Sequence, residues 1–275
     1  MGLFSKKYLS ACLIPFIGVL LFIYLQSNYK YIFYNMEMQQ LFVWDWQWIS
    51  HDLFRAGGFA AVFNGFILQF FAIRYMGAFV TSILSISIIL MIMNICRKIM
   101  DTDRLLPLCM LPVAFLFINM FSYTYTFIDF TAFLIGIFCL WLYSKTFFKT
   151  WVHITSGILI SLLLFISAGA SSLYFTLCAL LLDLLSLKNH KWACVIPTLT
   201  VFLAGFISVQ MAWTATYSKT FFLSSTFLYK PPFRIFIYAG WLSTIVCICI
   251  YGLFKQLEYR ISHTVEIVLG SSLTV

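Results

Sequence analysis

The residues best able to do chemistry gather between positions 28 and 58. That stretch, NYKYIFYNMEMQQLFVWDWQWISHDLFRAGG, holds Glu37, Asp45 and Asp52 together with Trp44, Trp46, Trp48, His51 and Arg55. Carboxylates set among aromatic rings and a histidine suit general-base work or metal binding. Trp and Tyr faces also stack on sugar rings or lie against lipid chains. The plainer reading of the same residues is an interfacial belt with solvated charges, because Trp is enriched where a bilayer meets water.

Further groups lie outside this stretch. Asp129 falls just inside an apolar run, where an ionisable residue is costly and a functional candidate. Near a helix start it also serves as an acid that complements the helix dipole. Asp183 sits near the end of another run, shortly before Lys188 and Lys191, and snorkelling or pairing accounts for it. Lys219, Lys230 and Arg234 make the segment 214–234 basic. With Arg55 and Arg74 they suit an anionic ligand such as a lipid-linked phosphate or pyrophosphate, and equally an ordinary headgroup contact. The small residues of 167–172 (SAGASS) read as a tight helical hairpin. No G-x-S-x-G, H-E-x-x-H or Walker motif occurs, which argues against the common hydrolase, metalloprotease and ATPase classes. The eight cysteines lie in or at the ends of apolar runs without a C-x-x-C, so no metal site, disulfide framework or cofactor is expected.

The elements that must position these residues follow from composition. Of 275 residues 63% are hydrophobic and 9% charged, against roughly 25% charged in a soluble domain. Such a chain is solvated by lipid. Runs long enough to cross a bilayer fall at about 11–27, 76–96, 105–121, 127–144, 153–168, 171–187, 193–213 and 235–254. Lipid cannot satisfy backbone groups and nothing alternates like a barrel strand, so the expected fold is all-α, a polytopic bundle of about eight spans. The first run follows Lys6 and Lys7 without a cleavage site after it, and reads as an uncleaved span. The net charge of +8 comes from basic residues set singly or in pairs between apolar runs. That is the pattern of topology signals, and no nucleic-acid partner is expected.

Charge also decides one ambiguous segment. Residues 57–73 (GGFAAVFNGFILQFFAI) are apolar enough to span. If they do not, Lys6, Lys7, Arg97, Lys98, Arg104, Lys145, Lys149, Lys188, Lys191, Lys255 and Arg260, eleven in all, share the N-terminal side, and six lie opposite. If they do, the counts reverse. The positive-inside rule favours the first arrangement, with a cytoplasmic N-terminus and the segment interfacial or re-entrant. Residues 28–75 then form a first outer loop and 214–234 a second. The tail, 261–275, is mildly apolar, ends abruptly, and is too short and too polar at Ser271, Ser272 and Thr274 to be read as a ninth span.

Two resemblances enter here. Residues 48–77 (WISHDLFRAGGFAAVFNGFILQFFAIRYMG) resemble an uncharacterised family of polytopic Bacteroidetes membrane proteins, in which a PGGLA–aromatic–FLxQFF–x–G signature follows the first span. Gly57, Gly58, Ala60, Phe66, Leu68, Gln69, Phe70, Phe71 and Gly77 match it, and Ala56 stands where proline is common; members of that family are generally longer, so the resemblance implies a truncated chain. The layout of spans and loops is similar to that of multi-spanning glycosyltransferases that use polyprenyl-phosphate sugars. That resemblance implies a catalytic carboxylate in the first outer loop, at Glu37 or Asp45. It also implies a site in the inner (cytoplasmic) membrane open to the outer face. Trp48, Asp129, Arg55, Lys219, Lys230 and Arg234 would bind substrate there, the cations holding the leaving lipid phosphate. A transporter or flippase subunit is the alternative, and predicts polar side chains from several spans meeting at one depth. A non-catalytic assembly protein is the third reading.

Overall fold

The computed structural model describes residues 3–39, 42–53, 57–100, 106–120, 127–146, 150–169, 171–186, 199–200, 203 and 239–255. Among them every regular element is helical: α1 (Leu3–Asn28), α2 (Lys30–Gln39), α3 (Trp46–Leu53), α4 (Gly58–Gln69), a 3-10 turn (Phe70–Ala72), α5 (Met76–Ile99), α6 (Leu106–Met120), α7 (Ile128–Lys145), α8 (Thr150–Ala168), α9 (Ser171–Ser186) and α10 (Ala239–Lys255). Three stretches, Met76–Ile99, Ile128–Lys145 and Trp151–Ala168, are long and apolar enough to cross a membrane. A fourth is gained if α1 and α2, bent by 76° at their junction, count as one broken span. Against the eight expected, α6, α9 and α10 are apolar but short, and 193–213 lies almost wholly outside the described residues.

α1 packs antiparallel on α5, with Gly18 beside Ile86, whereas α7 and α9 run in the same direction, Gly136 beside Ser171 and Tyr143 beside Asp183. Phe22 of α1 meets Phe79 of α5 edge to face at 6.4 Å, and Phe33 of α2 lies against Gly77, where a Cβ would come within 2.8 Å of its ring. Small residues along α5, namely Gly77, Ala78, Thr81, Ser82 and Ser85, are buried and permit this approach. Their hydroxyls are satisfied within the helix: Thr81 donates to the Gly77 carbonyl at 2.7 Å, Ser82 to Ala78 at 2.7 Å and Ser85 to Thr81 at 2.6 Å. α7 is the most enclosed element, with Phe130, Thr131, Phe133, Ile137, Leu140 and Tyr143 all buried. Trp241 of α10 stacks on Tyr174 of α9 at 5.6 Å and meets Phe133 of α7 at 4.8 Å. A Cβ at Gly136 would lie 2.6 Å from the Trp241 ring. Gly136→Ala is therefore expected to cost about 1–3 kcal/mol through overpacking, read as a lower midpoint in detergent-induced unfolding.

The first loop is mostly helix and covers one end of the bundle. Gly57, at φ 81°, ends the approach to α4 and donates its N–H to the Ile166 carbonyl near the end of α8 at 2.8 Å. Thr131, in the first turn of α7, reaches the Ala60 carbonyl at 3.4 Å. After α4 the 3-10 turn brings Phe71 edge-on to Phe127 at 5.2 Å and to Phe33 at 5.3 Å. Residues 57–73 thus enter and leave at the same end, where α7 begins and α8 finishes. A left-handed φ disfavours any Cβ, so Gly57→Ala is expected to lose about 1–2 kcal/mol and to loosen α4 from α8, seen as faster amide exchange across Gly58–Gln69.

The opposite end carries Lys145, whose ammonium sits 3.6 Å from the Trp141 ring centroid, and exposed Trp151. From Phe127 to Lys145 α7 rises about 27 Å, close to the hydrocarbon thickness of a bilayer. Both ends are ringed with aromatics, and exposed Phe138, Leu142, Leu159, Leu163 and Leu177 cover the sides between them. That is the surface of a protein bathed in lipid.

Candidate functional site

Two places concentrate polar chemistry. The first is the loop-one end. The bend after Asn28 turns the chain out of α1 and lays α2 across the bundle, anchored by buried Phe33 and Met36. Glu37 follows this anchor and is half-buried. Asp45 is exposed and starts α3: its carboxylate accepts the Gln47 N–H at 3.4 Å and its carbonyl accepts the Ile49 N–H at 2.9 Å. That is the role of a helix-capping acid. Phe42 sits on Gly65 of α4 and carries Trp44 and Trp48 edge-on at 5.2 and 5.6 Å. Trp44 continues to Phe66 at 6.0 Å and Phe66 to Phe70 at 5.4 Å. Trp48 thus belongs to a partly exposed aromatic platform, with Trp46 exposed beside it in α3. Asp129 is half-buried in the first turn of α7, where its charge complements the helix dipole. Arg55, Lys219, Lys230 and Arg234 lie outside the described residues.

The second place is the far end, and it contains residues that the sequence did not single out. Asp183, near the end of α9, is buried. Its Oδ2 accepts the Tyr143 hydroxyl of α7 at 2.7 Å, and its Oδ1 lies 3.0 Å from Nε2 of His153 in α8. Nδ1 of His153 is 2.9 Å from the Thr146 hydroxyl, and the Ser156 hydroxyl donates to the same oxygen at 3.1 Å. The Tyr143 and His153 rings stack with centroids 4.2 Å apart. Five side chains from α7, α8 and neighbouring α9 converge at one depth. Asp183 thus pairs with a histidine and a tyrosine, while Lys188 and Lys191, the cations its position pointed to, lie outside the described residues. Among the described residues no group of His, Cys, Asp or Glu is arranged to hold a metal ion.

An all-helical bundle with lipid-length apolar helices, aromatic ends and a covering loop defines a polytopic membrane protein. The chain belongs to a family of unknown function, DUF6057, which it matches over residues 5–269. The match covers nearly the whole chain, well beyond the segment 48–77 that carries the motif resemblance. No curated protein and no solved structure matches it.

Proposed function

We propose that this protein is a glycosyltransferase-like enzyme acting on a lipid-linked sugar at the outer face of the inner membrane. One observation supports it above the others: the 76° break after Asn28, which turns α2 and its half-buried Glu37 across the end of the bundle. A carboxylate at that level meets both a lipid-held donor and a water-borne acceptor. In this reading Glu37 takes the proton from an acceptor hydroxyl as that oxygen attacks the anomeric carbon. The bond from that carbon to the lipid phosphate oxygen breaks, and the lipid phosphate leaves. Arg55, Lys219, Lys230 and Arg234 are the cations that would hold the leaving phosphate, and Trp48 offers a face for the sugar. Asp45 is already employed as the cap of α3. Asp129, at the start of α7, would bind substrate from beneath.

The test uses the full chain in lipid nanodiscs with a short-chain polyprenyl-phosphate sugar as donor. Release of the polyprenyl phosphate coupled to sugar transfer is the expected result; an unchanged donor under every acceptor tried would sink the reading. The membrane orientation is checked separately. Single cysteines at Ser50 and Lys145, on a cysteine-free background in intact cells, should label from outside at Ser50 alone. Labelling at Lys145 alone would put the loop-one end in the cytoplasm and remove the site from the outer face.

A second reading, a transporter or flippase subunit, is favoured by the convergence of Tyr143, Thr146, His153, Ser156 and Asp183 at one depth. It predicts that a lipid-linked substrate changes leaflet without covalent change, which a two-sided quenching assay separates from transfer.

A further inference from the structure

We propose that the hydrogen-bonded chain Ser156–Thr146–His153–Asp183–Tyr143 is a proton relay, leading from the Lys145 end of the bundle to a carboxylate buried between α7, α8 and α9. The inference is independent of any transfer reaction at the loop-one end.

The chain is continuous, with every link between 2.7 and 3.1 Å. It also has a direction. Thr146 and Ser156 are half-buried at the ends of α7 and α8, next to exposed Lys145 and Thr155, whereas His153, Asp183 and Tyr143 are buried. Its hydroxyls can serve two protonation states with the heavy atoms in place. With one N–H on His153, Nε2–H donates to Asp183 Oδ1 and Nδ1 accepts the Thr146 hydroxyl proton. When Nδ1 takes the Thr146 hydroxyl proton, Thr146 takes the Ser156 proton and Ser156 takes one from water, after which Nδ1–H donates to Thr146 Oγ1 instead. The Thr146 proton then turns to the Tyr143 carbonyl, which lies 2.8 Å away. The Ser156 proton turns to the His153 carbonyl at 2.9 Å. Each state is hydrogen-bonded throughout, so a proton passes by hops along the chain followed by rotation of two hydroxyls, the Nε2 proton being the one handed on to Asp183 Oδ1, and never by opening the bundle.

A structural latch would need only the Asp183 contacts. The outer half of the chain, Thr146 and Ser156, adds a route to water. Other titratable or charged groups on the elements around the pair are Asp129, Cys139 and Lys145 on α7, Tyr174 and Cys178 on α9, Cys96, Arg97 and Lys98 at the end of α5, and Cys247, Cys249, Tyr251 and Lys255 on α10. None of them is needed as a carrier in this path.

The test is the exchange of the His153 ring protons with solvent, read by nitrogen-15 NMR of the histidine-labelled full chain in nanodiscs. The His153→Gln variant assigns the signal among the four histidines. Wild-type protein is expected to exchange through the relay. Thr146→Val, which keeps the shape and removes the hydroxyl, is expected to slow exchange by about tenfold or more. Thr146→Ser is expected to restore it. Equal exchange rates in wild type and Thr146→Val overturn the proposal and leave a structural latch. So does a wild-type ring that does not exchange over hours. If Thr146→Val fails to fold, Ser156→Ala is read in its place: slower exchange supports the relay, and an unchanged rate overturns it.

Discussion

Asp183→Ala is expected to lower the stability of the folded bundle by about 2–6 kcal/mol, about 1–3 kcal/mol for each of two buried donors left without its acceptor. Asp183 draws together hydrogen bonds from two other helices: Tyr143 of α7 at 2.7 Å and His153 of α8 at 3.0 Å. Substituting alanine leaves both donors buried and deprives them of the carboxylate on which they converge. The lipid around the bundle offers no replacement acceptor. Asp183→Asn keeps one carbonyl oxygen and should cost less, with the loss falling on whichever donor faces the amide nitrogen. The discriminating measurement is a double-mutant cycle between Asp183→Ala and His153→Phe in detergent-induced unfolding. If the pair is coupled as its geometry requires, the double variant loses clearly less than the two single losses combined. Strict additivity would mean that the two side chains are merely neighbours.

This network was illegible in the sequence for a definite reason. Each member, taken alone, sits where a simple explanation suffices: Tyr143 near a helix end, His153 just inside an apolar run, Asp183 close to lysines. Their partnership appears only once the chain reverses at Gly169. His153 lies sixteen residues before that glycine and Asp183 fourteen after it, so an antiparallel hairpin brings them to nearly the same depth. Pairing polar residues by their distance from a predicted hairpin turn would have found them. The long helices were legible because an apolar run of bilayer length has one backbone solution: 76–96 is realised as Met76–Ile99, 127–144 as Ile128–Lys145 and 153–168 as Thr150–Ala168. α2 and α3 were not. They are short, and they fall in a stretch whose Trp, Tyr and charged residues read first as an interfacial belt. Asp45 carried a signal that was open to reading, an acid directly before the amphipathic run WQWISHDL, which marks a helix start.

The capping role of Asp45 sharpens the last prediction. The sequence alone made Glu37 and Asp45 equivalent candidates for a general base. In the structure Asp45 caps α3 from an exposed position, while Glu37 is half-buried on α2, next to a buried anchor and at the level where α1 breaks. In the proposed transfer reaction Glu37→Gln is expected to reduce kcat by about 10²–10⁴-fold, the usual worth of a positioned general base. The glutamine preserves size and cannot take the proton, so donor binding should be nearly unchanged. Asp45→Asn, which also caps a helix well, is expected to leave transfer within a few-fold of wild type. Asp45→Ala should instead weaken α3 by about 1 kcal/mol, visible as faster amide exchange in Trp46–Leu53. The reverse pattern, with transfer lost in Asp45→Asn and kept in Glu37→Gln, would move the base to the exposed loop. The 76° break would then serve only to fold the first loop back over the bundle.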